Sequence, residues 1–179
     1  MQSSAVADSV WTRSQLPSAA STVLEDFRTE FPDHELNREA TKQLAYVYRE
    51  DGQTERAASE YERISAEADD PVVRREAMLT AGELYDEAAS MDNAVRVYEQ
   101  YVAAYPEPLD FALETRSRLS EIFDEQGLID RYYDQLRQIV ALDADAGEAR
   151  SDRSRYLAGK AALVLAEIDY QLFAEVQLT

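Results

Sequence analysis

One short pattern recurs three times along this chain of 179 residues, at intervals of 37 and 38 residues. In each copy an apolar residue precedes a small one, and an aromatic residue follows three positions later. The copies are Leu44-Ala45-x-x-Tyr48, Ala81-Gly82-x-x-Tyr85 and Leu119-Ser120-x-x-Phe123. A period of this length indicates a stack of similar units, each in contact with its neighbours only. It favours a function on an extended surface over catalysis in a closed pocket.

A second run of apolar residues at helical spacing follows each copy, after a short polar stretch. These runs contain Ala57, Tyr61 and Ile64 in the first unit, Ala94, Tyr98 and Tyr101 in the second, and Tyr132, Leu136 and Ile139 in the third. Each unit is therefore predicted to be a helix, a turn and a second helix, which makes the chain all-α. Pro71 and Pro106 are predicted to close the first two of these units, because proline cannot continue a helix.

The same register predicts a single repeat domain over residues 1–179. Its units span about 1–37, 38–74, 75–112 and 113–150, and C-terminal helices occupy 151–179. The N-terminal unit has a weak first helix, with Asp8 at the small position and Trp11 at the aromatic one. We expect one long helix from Ser151 to Glu167 and a further amphipathic helix from Tyr170.

These residues resemble the tetratricopeptide repeat, a unit of ~34 residues with a bulky–small–x–x–aromatic signature in its first helix. The resemblance covers most of residues 1–150. It departs from the family pattern at Tyr132, where the family has Ala. It implies a right-handed superhelical solenoid whose first helices line a concave face. It also implies a bacterial type of repeat protein, because Phe31-Pro32 and Tyr105-Pro106 resemble the aromatic–Pro segments of envelope repeat proteins. The bacterial envelope is therefore favoured over the cytoplasm.

The C-terminal end of the chain permits two interpretations. Repeat arrays need polar ends, whereas this sequence ends on apolar residues, which favours a piece of a longer protein. The alternative is that Tyr170–Leu178 forms a short cap on the last unit.

Charge and composition restrict the classes of partner. The 36 Asp and Glu outnumber 18 Lys and Arg, for a formal net charge of −18. Phosphate backbones and anionic lipid surfaces would be repelled, so no nucleic acid partner is expected. No run approaches the ~18 apolar residues of a membrane span, so no direct membrane insertion is expected. The chain has no Cys, which excludes disulfides and thiolate metal sites. The oligomeric state stays open.

Acidic residues fall on the outward positions that the repeat assigns to the concave face. They are Glu76, Glu83, Asp86 and Glu87 in one unit and Glu114, Glu121, Asp124 and Glu125 in the next. No Lys or Arg falls on those positions in these two units. One interpretation is a negative groove for a basic protein or peptide. The other is an acidic exterior that keeps the chain soluble.

The unit before these two offers a mixed set on the same face. Tyr46 is the best single candidate for a ligand contact, with Lys42 and Arg49 one turn away on either side. A known subclass of the family holds a C-terminal carboxylate with Lys, Asn and Arg. Lys42 matches one clamp position, but Tyr46 and Glu83 do not match the others, so that clamp is not supported.

Catalytic and cofactor signatures are absent from the sequence. His34 is the only His and is predicted to be a solvated loop residue, so no Cys–His dyad or two-His zinc site can form. Asp143-x-Asp145-x-Gly147-Glu148 has an incomplete calcium-ligand spacing and is predicted instead to cap a helix near Ala149. We expect no enzyme and no cofactor. The sequence predicts a scaffold for protein–protein interaction; the alternative is a structural spacer with no ligand of its own.

Overall fold

The computed structural model describes residues 19–177, and within that range the chain forms eight α-helices and one short 3-10 turn. The first helix predicted for the N-terminal unit, with Asp8 and Trp11, lies outside the described residues, as does the end of the chain at Leu178. The helices are α1 (Ala19–Glu30), α2 (Asn37–Glu50), α3 (Thr54–Glu67), α4 (Pro71–Glu87), α5 (Met91–Ala104), α6 (Leu109–Glu125), α7 (Ile129–Asp145) and α8 (Asp152–Gln177), with the 3-10 turn at Gly147–Ala149.

The helices alternate between two layers. Ion pairs join α1 to α3, α3 to α5 and α5 to α7, through Glu25–Arg56, Glu62–Arg96 and Glu99–Arg131. Other ion pairs join α4 to α6 and α6 to α8, through Asp86–Arg118 and Glu114–Arg153. We call α2, α4, α6 and α8 the first-helix layer, and α1, α3, α5 and α7 the second-helix layer. The arrangement confirms the predicted all-α solenoid of helix-turn-helix repeats.

The turn inside each unit is the same in all three complete units. The carbonyls of Tyr48, Tyr85 and Phe123, the motif aromatics, accept hydrogen bonds of 2.7–2.8 Å from the N–H five residues later. This bond belongs to the Schellman helix end, which requires a residue with positive φ. Gly52 and Gly127 fill that position at φ +70°, whereas Ala89 adopts φ 56° in the middle unit.

Pro71 opens a helix instead of closing a unit, so that prediction is wrong. It is the first residue of α4, where its missing N–H costs nothing. The Asp70 carboxylate caps the same end by accepting a hydrogen bond of 2.8 Å from the Val72 N–H. The helix α4 therefore begins at Pro71, ahead of the predicted boundary at 75, and α6 begins at Leu109, ahead of the boundary at 113.

Motif positions form the core. Leu44, Ala57, Ala81, Ala94, Leu119 and Phe123 are fully buried, and Tyr48 and Tyr85 nearly so. At Gly82 the crossing of α4 and α5 is so close that an added Cβ would lie 2.6 Å from a ring carbon of Tyr98. Tyr85 extends past its own unit, since its hydroxyl donates a 2.8 Å hydrogen bond to Glu62 on α3. Small residues therefore stand where helices cross, and aromatics join neighbouring units.

The C-terminal segment is one continuous helix, α8, so the predicted break between Glu167 and Tyr170 is wrong. Ile168-Asp169 offers neither Gly nor Pro, and nothing there stops a helix. Leu157, Ala158 and Ala161 are buried against the preceding unit. They lie 38 residues after Leu119, Ser120 and Phe123, so α8 is the fourth copy of the first helix within the described residues.

Candidate protein-binding surface

Four of the predicted acids meet in one cleft of about 460 Å³ between α4 and α6, in the first-helix layer. Glu83, Asp86 and Glu87 lie on α4 and Glu114 lies on α6. They meet because residues three and four apart share a helix face, and because adjacent units place their first helices side by side. We call this the α4–α6 cleft.

The Asp86 carboxylate binds two other side chains of this chain. Arg118 on α6 donates from Nε and Nη2 to its two carboxylate oxygens, at 2.6 and 2.8 Å, and the Tyr98 hydroxyl lies 3.4 Å from Oδ2. These hydrogen bonds raise the pKa of Arg118 further above its ordinary value, although burial opposes them. Burial, followed by the charge of Asp86, raises the pKa of Tyr98. Asp86 therefore ties two units together.

Cations from other positions reach these acids, although none falls on the groove positions themselves. Arg118 precedes motif residue Leu119, and its long side chain crosses to α4, beyond what a helical register indicates. The helix α8 supplies two more cations: Arg153 lies 2.7 Å from Glu114, and Lys160 lies 3.8 Å from Glu121. Glu121 is also 3.3 Å from Arg118.

The remaining acids keep their charge exposed. Within the described residues, Glu76, Glu83, Glu87, Asp124 and Glu125 make no side-chain hydrogen bond or ion pair. Partial burial raises the pKa of the Glu83 carboxyl. The positive charge of Arg49 opposes this rise, and the negative charge of Glu114 adds to it. Glu83 therefore has no ion pair in the described residues, and its surroundings on balance disfavour its charged form.

The mixed set on α2 divides between two places. Tyr46 is 61% exposed, as predicted for a side chain that the core does not need. Arg49 lies close enough to Glu83 to affect its pKa, so it adjoins the α4–α6 cleft. Lys42 lines a different cleft, of about 210 Å³, which also contains Arg38 and Val73.

Sequence reasoning missed the apolar part of the α4–α6 cleft. Phe111, on the first turn of α6, is 45% exposed, and Leu79 on α4 is half-buried beside it. A signal existed, since Leu109, Ala112 and Leu113 form the buried stripe of α6, and Phe111 is an aromatic residue outside that stripe.

His34, the only His in the sequence, has structural contacts. His34 accepts a hydrogen bond from the Leu36 N–H at Nδ1, at 3.1 Å, and its ring contacts that of Phe27. In the described range, no group of three or more His, Cys, Asp or Glu could hold a metal ion.

Asp143 does not cap a helix near Ala149, so that prediction is wrong. The helix α8 begins at Asp152, and Ser151 caps it by accepting a 2.9 Å hydrogen bond from the Ser154 N–H. Asp143 is buried, and it accepts hydrogen bonds from Arg150, at 2.5 Å, and from the Ser154 hydroxyl, at 2.7 Å. It joins α7 to α8.

Replacing Asp143 by Asn should produce a pH-dependent loss of stability. The hydrogen bond from Arg150 holds the pKa of Asp143 below its ordinary value, although burial opposes it. The stabilisation is therefore complete above the unfolded pKa of ~3.9 and is lost as pH falls through the lower folded pKa. Urea unfolding of both proteins should show a constant difference from pH 7 to pH 5 and a smaller one below about pH 4. A difference that is unchanged at the lowest pH would contradict this account.

Fold and surface together define a helical-repeat protein with an acidic cleft in its first-helix layer. Residues 76–108, most of α4 and α5, match the tetratricopeptide repeat family, which supports the resemblance found in the sequence. Such repeats generally mediate protein–protein interaction, and the family is a non-catalytic one.

Comparison with solved structures supports the same fold. The crystal structure of BtubC (BKLC) from P. vanneervenii aligns with a TM-score of 0.50 and 19% identity, over 84% of this chain and 65% of BtubC. The chain thus spans about two thirds of that protein's length, and at this identity the likeness concerns the fold alone. No curated protein matches the sequence significantly. None of the helices in residues 19–177 is long and apolar enough to cross a bilayer.

Proposed function

We propose that this chain is an interaction scaffold that binds a segment of a partner protein on the concave face formed by its first-helix layer. The observation that carries this proposal is the α4–α6 cleft, where unpaired carboxylates stand beside exposed apolar side chains. The exposed charge favours a basic partner, because complementary charge speeds encounter and excludes acidic competitors.

The distribution of aromatic residues favours a scaffold over a spacer. Six Tyr and Phe side chains are exposed in the described residues, and five lie on first helices: Tyr46, Phe111, Tyr156, Tyr170 and Phe173. The sixth, Phe31, lies in a loop. A pure spacer has no reason to expose aromatics on one layer, whereas binding surfaces are enriched in them.

The compartment in which binding occurs is a separate proposal. The aromatic rings before Pro32 and Pro106 each contact an aromatic one turn earlier, Phe27 with Phe31 and Tyr101 with Tyr105. Their similarity to envelope repeat proteins supports the bacterial envelope.

A charge reversal on α4 should abolish partner capture. The variant Glu83→Lys with Glu87→Lys places two cations where the proposal needs anions and leaves the Asp86–Arg118 contact intact. Capture from a lysate by the immobilised chain, across a salt series, should lose the partners whose retention falls with rising salt, because exposed charge interactions are screened.

Asp26→Lys with Glu30→Lys is the matched control. This pair lies on α1 in the second-helix layer, has the same spacing of four residues, is exposed, and makes no side-chain hydrogen bond or ion pair in residues 19–177. It changes the net charge equally and should retain the partners. Equal losses in both variants, or in neither, would reject the concave face as the binding surface.

A further inference from the structure

The α4–α6 cleft has an apolar part and a charged part that would contact different groups of a ligand. Phe111 and Leu79 present apolar surface, with the ring of Tyr98 in the same lining. Glu83 and Glu87, one helical turn apart on α4, provide the charge. An exposed apolar surface bordered by charge is typical of a binding groove rather than of a solvated helix face.

Arg118, the cation in the lining of this cleft, binds Asp86 and makes no ion pair with Glu83 or Glu87. Both carboxylate oxygens of Asp86 bind Arg118, a bidentate geometry that holds the guanidinium at Asp86. The other acid in the lining, Glu114, is paired with Arg153. The cleft therefore keeps two adjacent carboxylates that make no hydrogen bond or ion pair among the described residues, and the nearby Arg49 acts on Glu83 only through its charge.

Resting on the function proposed above, we infer that the α4–α6 cleft binds a peptide segment in which an Arg or Lys side chain stands next to an apolar one. The cation lies between Glu83 and Glu87, and the apolar side chain packs on Phe111 and Leu79. Charge complementarity selects the cation. The apolar contact selects a peptide over a small polycation, which has no side chain to place on Phe111.

Synthetic peptides test this inference without knowledge of the natural partner. The probe is a fluorescein-labelled peptide with four repeats of Arg-Leu-Ser, compared with matched peptides of Arg-Ser-Ser and Glu-Leu-Ser repeats. Fluorescence anisotropy with the whole chain should show binding of the Arg-Leu-Ser peptide. Binding of the Arg-Ser-Ser peptide should be about tenfold weaker, and the Glu-Leu-Ser peptide should not bind.

Two variants assign the two halves of the contact. Glu83→Gln with Glu87→Gln should lower the affinity for the Arg-Leu-Ser peptide by about tenfold or more. Asp26→Asn with Glu30→Gln on α1 should change that affinity less than about twofold. Phe111→Ser should remove the preference for Arg-Leu-Ser over Arg-Ser-Ser and leave the weaker binding unchanged. Circular dichroism verifies that each variant is folded.

Several outcomes would overturn the inference. They are equal effects of the α4 and α1 substitutions, no preference for the peptide with Leu, failure of all peptides to bind, or equal competition by spermidine.

The proposed function has its own test: if the lysine reversal on α4 abolishes partner capture but Phe111→Ser leaves peptide preference intact, the scaffold stands and this inference fails. If the lysine reversal has no effect on capture, the scaffold proposal itself fails.

Discussion

Gly82→Leu is expected to lower the free energy of unfolding by ~1–3 kcal/mol or more, because overpacking a filled crossing displaces side chains or backbone. A Cβ at this position would lie 2.6 and 2.7 Å from two ring carbons of Tyr98. Tyr98 is itself 4% exposed, and its hydroxyl contacts Asp86, so the ring has little room to move. Urea unfolding followed by circular dichroism measures the loss.

Gly159→Leu is the matched control, since Gly159 lies inside α8 with nothing within 4 Å of an added Cβ. Leucine is a better helix former than glycine by several tenths of a kcal/mol, so this change should be neutral or stabilising. Gly82→Ala combined with Tyr98→Leu, which removes the ring, should lose less stability than the sum of its two single changes. If Gly82→Leu unfolds at the same urea concentration as the natural chain, the assigned crossing is wrong.

The core of this fold could be predicted because its constraints are local to the repeat. Gly82 must be small where α4 meets α5, and its equivalents Ala45 and Ser120 are buried for the same reason. The turn glycines Gly52 and Gly127 likewise satisfy a backbone conformation that recurs with the period. A pattern that repeats every 37 or 38 residues records such requirements directly.

Helix ends were less predictable, because one residue type can serve two purposes. A proline can follow a finished helix or start a new one. At Pro71 the helix cap formed by Asp70 shows that a new helix starts. The continuity of α8 past Glu167 follows from the absence of a stop signal at Ile168-Asp169.

The candidate surface was predictable at the level of backbone position only. A helical register places Cα atoms, and Glu83, Asp86, Glu87 and Glu114 lie in one cleft. It could not indicate that the side chain of Arg118 crosses to the neighbouring unit. Long basic side chains bind acids several ångströms from their own Cα, and this determines which carboxylates stay free.

Arg28→Met is expected to have the largest effect among single ion-pair variants, approaching the ~3–5 kcal/mol seen when one member of a buried pair is removed. Arg28 on α1 donates to Glu60 on α3 from both terminal nitrogens, Nη1 and Nη2, the latter at 2.8 Å, and Nη1 also donates to the Thr41 hydroxyl at 3.3 Å. The side chains of Arg28 and Glu60 are only 15% and 9% exposed. Without Arg28, the Glu60 carboxylate keeps Arg63, at 3.8 Å, as its one ion-pair partner among residues 19–177.

Arg28→Met with Glu60→Met distinguishes an uncompensated charge from lost packing. Replacing a buried ion pair by apolar residues of similar volume is often neutral, so the double variant should recover most of the stability that the single variant loses. The coupling from the two single changes and the double change should reach ~1–3 kcal/mol. Arg38→Met, which breaks the exposed pair with Asp69, is the control and should change the unfolding midpoint little, since exposed ion pairs contribute little. Additive losses from Arg28→Met and Glu60→Met would mean that the Arg28–Glu60 pair adds nothing to the attachment of α1 to α3, which would then rest on packing and on the Glu25–Arg56 ion pair.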